Sequence, residues 1–467
     1  MSLQIYNTMT RSREPFVPLE PGKVKMYVCG PTVYDYIHIG NARPVIVFDV
    51  VRSYLEYVGY DVNYVVNFTD VDDKLIRKAR ELNMEVPAVA EKFIAAYHED
   101  LAGLNVPAAS INPRVTESMD LIIDFIKDLV DKGYAYENDG DVFYRTKKFK
   151  DYGQLSGQNL EELQFGIRIN VDERKENAED FVLWKEAKPG EIYWSSPWGD
   201  GRPGWHIECS AMARHYLGDT LDIHGGGQDL QFPHHECECA QSEVITGKPL
   251  SRYWMHNGYI RIDNEKMSKS LGNGILVKDL RARHKPEALR YFMLSTHYRN
   301  PLNYNQETMS QAENSVERIA NAVANVKHRL AIALKGNEEV SAELQMKLDG
   351  ILQQFGEKMD DDFNTPDAIT AVFEWVSEAN LLLQRDVVNQ AELQRVLHTF
   401  HSMNTVLRIY SEPSEELLDD EVEQLIAERV EARKTKNWGR ADEIRDLLAT
   451  KGIVLEDTAQ GMRWRRK

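Results

Sequence analysis

Only four cysteines occur in 467 residues, at Cys29, Cys209, Cys237 and Cys239, too few and too irregularly spaced for a disulfide framework. Reduced thiols or metal ligands are expected instead, and with them a cytoplasmic setting. Long apolar runs are missing as well: nothing approaches the ~18 residues of a membrane span, and Met1–Phe16 is polar without a signal-peptide core. Positive charge is in deficit, with 56 Lys and Arg against 74 Asp and Glu for a net of −18, which argues against a general binder of DNA or of anionic membranes. Any nucleic acid must therefore meet a local basic patch. Repeats and low-complexity stretches are also absent.

What is present fills several domains at about 150 residues each. Lys25–Cys29 reads as a short buried strand, Pro44 as the opening of a helix that Gly59 stops, and Val62–Phe68 as a second strand, which together make a βαβ start. The helix-period segment from Glu117 to Lys132 and the turn-rich pieces around Gly140–Tyr144 and Asp151–Gly157 read as an insertion over residues 114–197. Strand signals return at Leu221–His224 and Tyr259–Ile262, separated by a helix opening at Pro233. From Gln311 the pattern becomes helical, with Val316, Ile319, Val323, Val326 and Leu330 three and four apart, predicting a bundle to about Tyr410. Ser411–Ser414 reads as a linker. The tail offers two short amphipathic helices and a hairpin of Ile453–Leu455 against Met462–Trp464, turning at Gln460-Gly461.

Four segments carry chemistry. His38-Ile39-Gly40-Asn41 falls between a strand end and a helix start, where unpaired N–H groups and the helix dipole favour an anion. Lys266-Met267-Ser268-Lys269-Ser270 sets two lysines beside small hydroxyls, a composition suited to a loop that closes over a polyphosphate. Asp222-Ile223-His224-Gly225-Gly226-Gly227-Gln228-Asp229 lets a nucleotide approach bare backbone, with Asp229 placed to accept from ribose hydroxyls; it is not the Gly-x-Gly-x-x-Gly fingerprint, which disfavours a nicotinamide enzyme. The fourth group is metal-like. Cys29 ends the first strand, Cys209 follows Gly204-Trp205-His206-Ile207-Glu208, and His234 and Glu238 stand four apart on one helical face, so thiolate, imidazole and carboxylate favour zinc. A rival ligand set draws on Cys237 and Cys239. Buried cysteines beside a surface His-Glu pair would look the same in sequence.

Together these segments resemble the class I aminoacyl-tRNA synthetases, and within them the cysteinyl-tRNA synthetase family. The resemblance runs through nearly the whole chain. It rests on Tyr27-Val28-Cys29-Gly30-Pro31-Thr32-Val33-Tyr34-Asp35, Asn67-Phe68-Thr69-Asp70-Val71-Asp72-Asp73-Lys74, Asp180-Phe181-Val182-Leu183-Trp184-Lys185, Pro203 through Met212, Phe232 through Glu236, and the lysine pentapeptide. In the family the first signature ends in His, and Asn41 stands there in this chain.

The resemblance implies an α/β, Rossmann-like catalytic domain in two halves (residues 1–113 and 198–270) around the insertion. A phosphate-loop and stem-contact region (271–310), an α-helical bundle (311–412) and a small α+β anticodon-binding domain (413–467) would follow. It implies cysteine–tRNA ligation: L-cysteine and ATP, with Mg2+, form an adenylate that passes to the 3′-terminal adenosine of tRNA(Cys). His38, Asn41, Lys266 and Lys269 would be catalytic, with Gly40, Gly227 and Asp229 also on ATP. One zinc would sit on Cys29, Cys209, His234 and Glu238, open to the substrate thiol. Gly30, Thr32, Thr69 and Trp205 would line the amino-acid pocket, with His206 and His224 as further pocket candidates. Arg433, Trp438, Asp442 and Asp457 would read the anticodon, in a tail where Arg463, Arg465, Arg466 and Lys467 interleave with Trp464. Two rivals remain: an RNA-free cysteine ligase, which should lack that tail, and a zinc-containing RNA-binding module without catalysis.

Overall fold

The computed structural model describes residues 2–158, 173–267, 274–333, 339–412, 420–450, 453–458 and 461–466. At its centre lies a four-stranded parallel sheet in the order Ser251–Asn257, Leu221–Gly227, Lys23–Val28, Asp61–Val66. From Lys23–Val28 the chain steps first to Asp61–Val66 on one side, and returns much later to Leu221–Gly227 on the other. That reversal opens a crevice at the carboxyl ends of the two middle strands, the usual place for a ligand in such sheets.

The helix Ile39–Tyr57 begins five residues before Pro44. His38 accepts the backbone N–H of Asn41, and the Asn41 side chain accepts that of His38, a reciprocal cap that starts the helix early and leaves Pro44 inside it. Ser251–Asn257 is a full strand of the central sheet, although no alternating pattern announces it. Every residue from Tyr253 to Asn257 is buried, and burial on both faces erases the period-two signal. Phe232 is extended (φ −138°, ψ 132°), so the helical backbone that carries His234 opens at Pro233 and runs on into Glu236–Thr246.

Four strands of the insertion and one just beyond its expected end, Gly199–Pro203, form an antiparallel sheet in the order Ala135–Asn138, Asp141–Tyr144, Phe181–Glu186, Gly199–Pro203, Trp194–Ser196. Its strands read as turns because they are only three to six residues long. The bundle consists of Gln306–Ile332, Ala342–Met359, Thr365–Leu383 and Gln390–Leu407. Each helix opens on a cap, Asn305, Ser341, Asn364 or Asn389, whose side chain accepts a first-turn N–H. The tail holds Asp420–Lys434, Trp438–Thr450 and the hairpin Ile453–Thr458 with Gly461–Arg466, in which Leu455 pairs with Trp464. Pro413 and Ser414 of the expected linker, and Gln460 of the expected turn, lie outside the described residues.

A buried charge knot ties the bundle to the helix Ile39–Tyr57. Asp49 on Ile39–Tyr57 is bonded by Arg290, which is wholly buried, and accepts at 2.8 Å on both oxygens from Arg408 at the end of the last bundle helix. Arg290 also donates to the carbonyls of Leu407 and Asn105. Asp49→Ala strands two guanidinium groups, so it is expected to lower stability by about 3–5 kcal/mol, read as a shifted urea midpoint of the catalytic and bundle unit by tryptophan fluorescence. An unchanged midpoint would show the knot to be dispensable.

Candidate functional site

A cavity of about 630 Å3 opens at the carboxyl edge of the sheet. Strand Lys23–Val28 delivers Cys29, Gly30 and Thr32 to it, strand Leu221–Gly227 delivers Gly227 and then Asp229, and the helix Ile39–Tyr57 presents His38, Gly40 and Asn41 at its amino end. Gly30 cannot be replaced without movement, because a Cβ there would lie 1.7 Å from the Asn67 carbonyl oxygen. Its N–H is held by the Asn67 side chain at 2.9 Å.

At one end of the cavity, ligand atoms of Cys29, Cys209, His234 and Glu238 all lie within 4.8 Å of one another. The sulfurs of Cys29 and Cys209 are 3.8 Å apart, and Glu238 Oε1 stands 3.2 Å from Cys29 Sγ and 3.0 Å from His234 Nε2. The other carboxylate oxygen, Oε2, accepts from His224 Nε2 at 2.8 Å. Burial alone would raise the Glu238 carboxyl, but His224 and His234 outweigh it and hold it well below the ordinary carboxylate range. Burial likewise opposes ionisation of Cys209, yet hydrogen bonds from Cys29 and His234 bring its thiol down to about 6. Two soft sulfurs, one imidazole and one ionised oxygen converge here, a donor set that fits a divalent metal ion.

His224 and His235 make a second group with Cys29 and Glu238. In it His224 is already committed to the outer oxygen of Glu238. His234 passes its Nδ1 to His206 Nδ1 at 2.9 Å, and burial beside His234 lowers His206 to about 3, so the neutral His206 ring can accept that proton. His235 Nδ1 meets His256 Nε2 at 2.8 Å, and His256 Nδ1 meets Thr8 Oγ1 at 2.8 Å. His235 lies in the stretch Phe232 through Glu236 but has no role assigned there, and His256 carries no motif; their burial beside the ligands reveals both. Cys237 instead contacts the Tyr152 hydroxyl at 3.2 Å, and among the described residues neither Cys237 nor Cys239 joins a metal-like group.

At the opposite end, Ile39 N–H donates to the Ile275 carbonyl at 2.8 Å and Val277 N–H to that of Ile37 at 3.0 Å. The carboxyl root of the lysine loop is thereby stapled to the His38 turn. Met267 packs so closely on Gly40 that a Cβ there would sit 2.7 Å from its methyl group. Lys266 belongs to the two-residue strand Glu265–Lys266, and Lys269 lies outside the described residues. Trp205 covers the metal-like end, its ring centroid 4.4 Å from that of His234. Thr69 is one layer back, buried, with its hydroxyl donating to Glu208 at 2.9 Å. In the tail, Trp438 is 57% exposed beside Arg433 across the interhelical turn, Asp442 pairs with Arg445, and Asp457 is in the hairpin. No helix among the described residues is long and apolar enough to cross a membrane.

Residues 15–314 match the tRNA synthetases class I (C) catalytic domain, residues 354–410 the DALR domain, and residues 415–465 the cysteinyl-tRNA ligase anticodon binding domain. The fold is shared with methionyl-tRNA synthetase of Mycobacterium tuberculosis bound by methionyl-adenylate, at a TM-score of 0.59 and 15% identity over 84% of this chain and 90% of that one. Sheet order, cleft and catalytic-domain match together define a class I aminoacyl-tRNA synthetase. The cysteine–tRNA ligase of Anoxybacillus flavithermus is 59% identical over 100% of both chains, and that of Shouchella clausii 59% identical over 99% of both. This chain belongs to the cysteine–tRNA ligase family.

The geometry separates the rival cysteines. Cys209→Ser is expected to abolish binding of one metal equivalent, whereas the double variant Cys237→Ser, Cys239→Ser retains it, as counted by elemental analysis of dialysed protein. Loss of metal from the double variant would move the site to the other pair.

Proposed function

We propose that this chain activates L-cysteine with ATP and transfers it to the 3′-terminal adenosine of tRNA(Cys), in the cytoplasm. The observation that carries this reading is a single cavity with a thiol-compatible metal donor set at one end and an anion-binding helix terminus at the other. The domain division proposed with it is catalytic halves over 1–113 and 198–270, insertion 114–197, connecting region 271–310, bundle 311–412 and anticodon-binding tail 413–467.

In the first step a carboxylate oxygen of cysteine bonds to the α-phosphorus of ATP, the bond to the bridging oxygen breaks, and pyrophosphate leaves. The nucleophile is already ionised, so the protein's task is alignment and charge stabilisation. His38 suits that task because its Nδ1 accepts the Asn41 N–H, which leaves the proton of the neutral ring on Nε2 as a donor to phosphate. Asn41 contributes chiefly by holding that turn. Gly40 lets the nucleotide lie against backbone, Gly227 and Asp229 take its ribose side, and Lys266 and Lys269 oppose the departing pyrophosphate with Mg2+ accompanying ATP. In the second step the 2′-hydroxyl oxygen bonds to the adenylate carbonyl carbon, its proton passes to the departing phosphate, and AMP leaves.

Cys29, Cys209, His234 and Glu238 would hold zinc, which when bound supplies a Lewis acid that takes a thiol, of free pKa about 8.5, far more readily than a serine hydroxyl. Pocket shape alone separates such near-isosteres by only ~10²-fold. The chain arranges for this selectivity by engaging the outer oxygen of Glu238 with His224, so a single oxygen faces the cluster. Gly30, Thr32 and Trp205 close the amino-acid end, with Thr69 set behind them. Arg433, Trp438, Asp442 and Asp457 are assigned to the anticodon, whose unpaired bases need stacking and edge hydrogen bonds. The presence of that tail favours this reading over an RNA-free cysteine ligase.

Lys269→Ala is expected to slow adenylate formation by ~10²–10³-fold while leaving cysteine affinity in place, measured by pre-steady-state adenylation beside equilibrium binding. The opposite pattern would remove Lys269 from the phosphate site. Trp438→Ala should raise the KM for tRNA by an amount equivalent to about 1–3 kcal/mol without altering cysteine-dependent ATP–pyrophosphate exchange. Unchanged tRNA kinetics would remove Trp438 from the anticodon site.

A further inference from the structure

One segment of the cavity wall is used in this scheme only at Thr32, at its amino-acid end. Residues 31–37 run from Cys29 and Gly30 at the amino-acid end to His38 at the phosphate end, and Pro31, Thr32, Tyr34, Asp35, Tyr36 and Ile37 all line the cavity. An adenylate held as proposed above would span those same two ends, with this segment alongside its mixed anhydride. The backbone there is fixed: Val33 N–H donates to the Thr69 carbonyl at 3.1 Å and Thr69 N–H to that of Pro31 at 3.2 Å.

Its side chains combine rings with cations. Lys74 Nζ lies 5.5 Å from the Tyr34 ring centroid and 5.9 Å from that of Trp205. Lys278 Nζ sits 3.7 Å over the Tyr36 ring. The one carboxylate of the segment, Asp35, is neutralised by Lys78 at 3.0 Å. In a chain of net charge −18, two tyrosines flanked by lysines at a cavity mouth form a local exception to the prevailing repulsion of polyanions. Aromatic faces with adjacent cations are the recurring surface for an unpaired nucleic-acid strand. The ribose side of ATP is proposed above on Gly227 and Asp229, which line the cavity from the other half of the domain.

We infer that residues 31–37 seat the unpaired 3′ end of the tRNA, with its terminal adenine on Tyr34 and its backbone phosphates beside Lys74 and Lys278. The inference rests on the proposed ligase reaction and assigns the acceptor side of the cavity, which that reading leaves open. Tyr34 and Lys74 are then positioning residues for the transfer step alone.

The test compares tRNA-free ATP–pyrophosphate exchange with single-turnover transfer of cysteine from enzyme-bound adenylate, to full-length tRNA and to an acceptor minihelix lacking the anticodon. Tyr34→Leu is expected to slow transfer to both RNAs by about tenfold relative to any effect on exchange, the size of a lost base–ring stack, and Tyr34→Phe restores most of the rate. Lys74→Met should weaken RNA binding and reduce its salt dependence by about one phosphate contact, with Lys74→Arg restoring both. Exchange and transfer falling in parallel would overturn the inference by placing the segment against ATP or cysteine, as would transfer at the unmodified rate in Tyr34→Leu. Lack of cysteine-dependent exchange in the unmodified protein would instead overturn the ligase reading itself.

Discussion

The carboxylate of Glu238 is the constraint around which the site is built. It is fully buried and ionised, and an ion taken out of water costs several kcal/mol unless partners replace the lost hydration. The partners are His224 from the glycine-rich strand, His234 from the turn before its own helix, and Cys29 from the end of the central strand. They come from three separate elements, so the sheet order must be right before the charge can be accommodated. Some of the layered histidines follow the same need: His206 meets the second ring nitrogen of His234, and His256, itself met by Thr8, meets Nδ1 of His235, whereas Nδ1 of His224 has no such partner among the described residues.

A second set of buried charges gives the molecule its continuity. Asp49 joins the helix that begins at His38 to Arg290 and Arg408, and further along the same helix Tyr54 donates to Asp360 of the bundle at 2.8 Å. Asp362, wholly buried, accepts from the Tyr6 N–H, the Tyr298 hydroxyl and Arg299 Nε, all at 2.8 Å. The amino-terminal hairpin, the catalytic helix and the bundle are thus locked together, and their apolar residues form one continuous core. The tail keeps its own small cluster around Ile444 and Leu448. The helix that begins at the His38 turn is thus fixed to the bundle at both Asp49 and Tyr54.

Much of this was readable in the residues, for reasons that can be named. The βαβ start showed because Gly59 and the strand residues around it obey local rules, and the bundle showed because its helices are long and one-sided. His234 and Glu238 showed because four is a helical spacing, even though a π turn carries the first of them. What stayed hidden depends on distant partners. Nothing local marks Ser251–Asn257 as a strand when both its faces are covered, and Pro44 conceals a helix start that a reciprocal His38–Asn41 cap creates. The short insertion strands passed for turns because each gains its stability from the next. His256 had no signature and His235, although inside the stretch Phe232 through Glu236, had no legible role, since their roles follow from whom they touch.

The charge distribution links these layers. A protein of net −18 repels RNA at long range, so an acidic body discourages any encounter in which its cations do not face the phosphates. Cations stand at two separated places that the proposed scheme uses, the tail with Arg433, Lys434 and Lys436, and the cavity wall with Lys74 and with Lys278 over Tyr36. Attraction at only one of them leaves the rest of a bound RNA over acidic surface. Simultaneous engagement of both is what removes the penalty, and the buried knots at Asp49 and Asp362 hold the bundle at a set place on the catalytic domain. On the proposed reading, an overall charge unsuited at first sight to an RNA-binding enzyme favours an RNA that reaches both places at once.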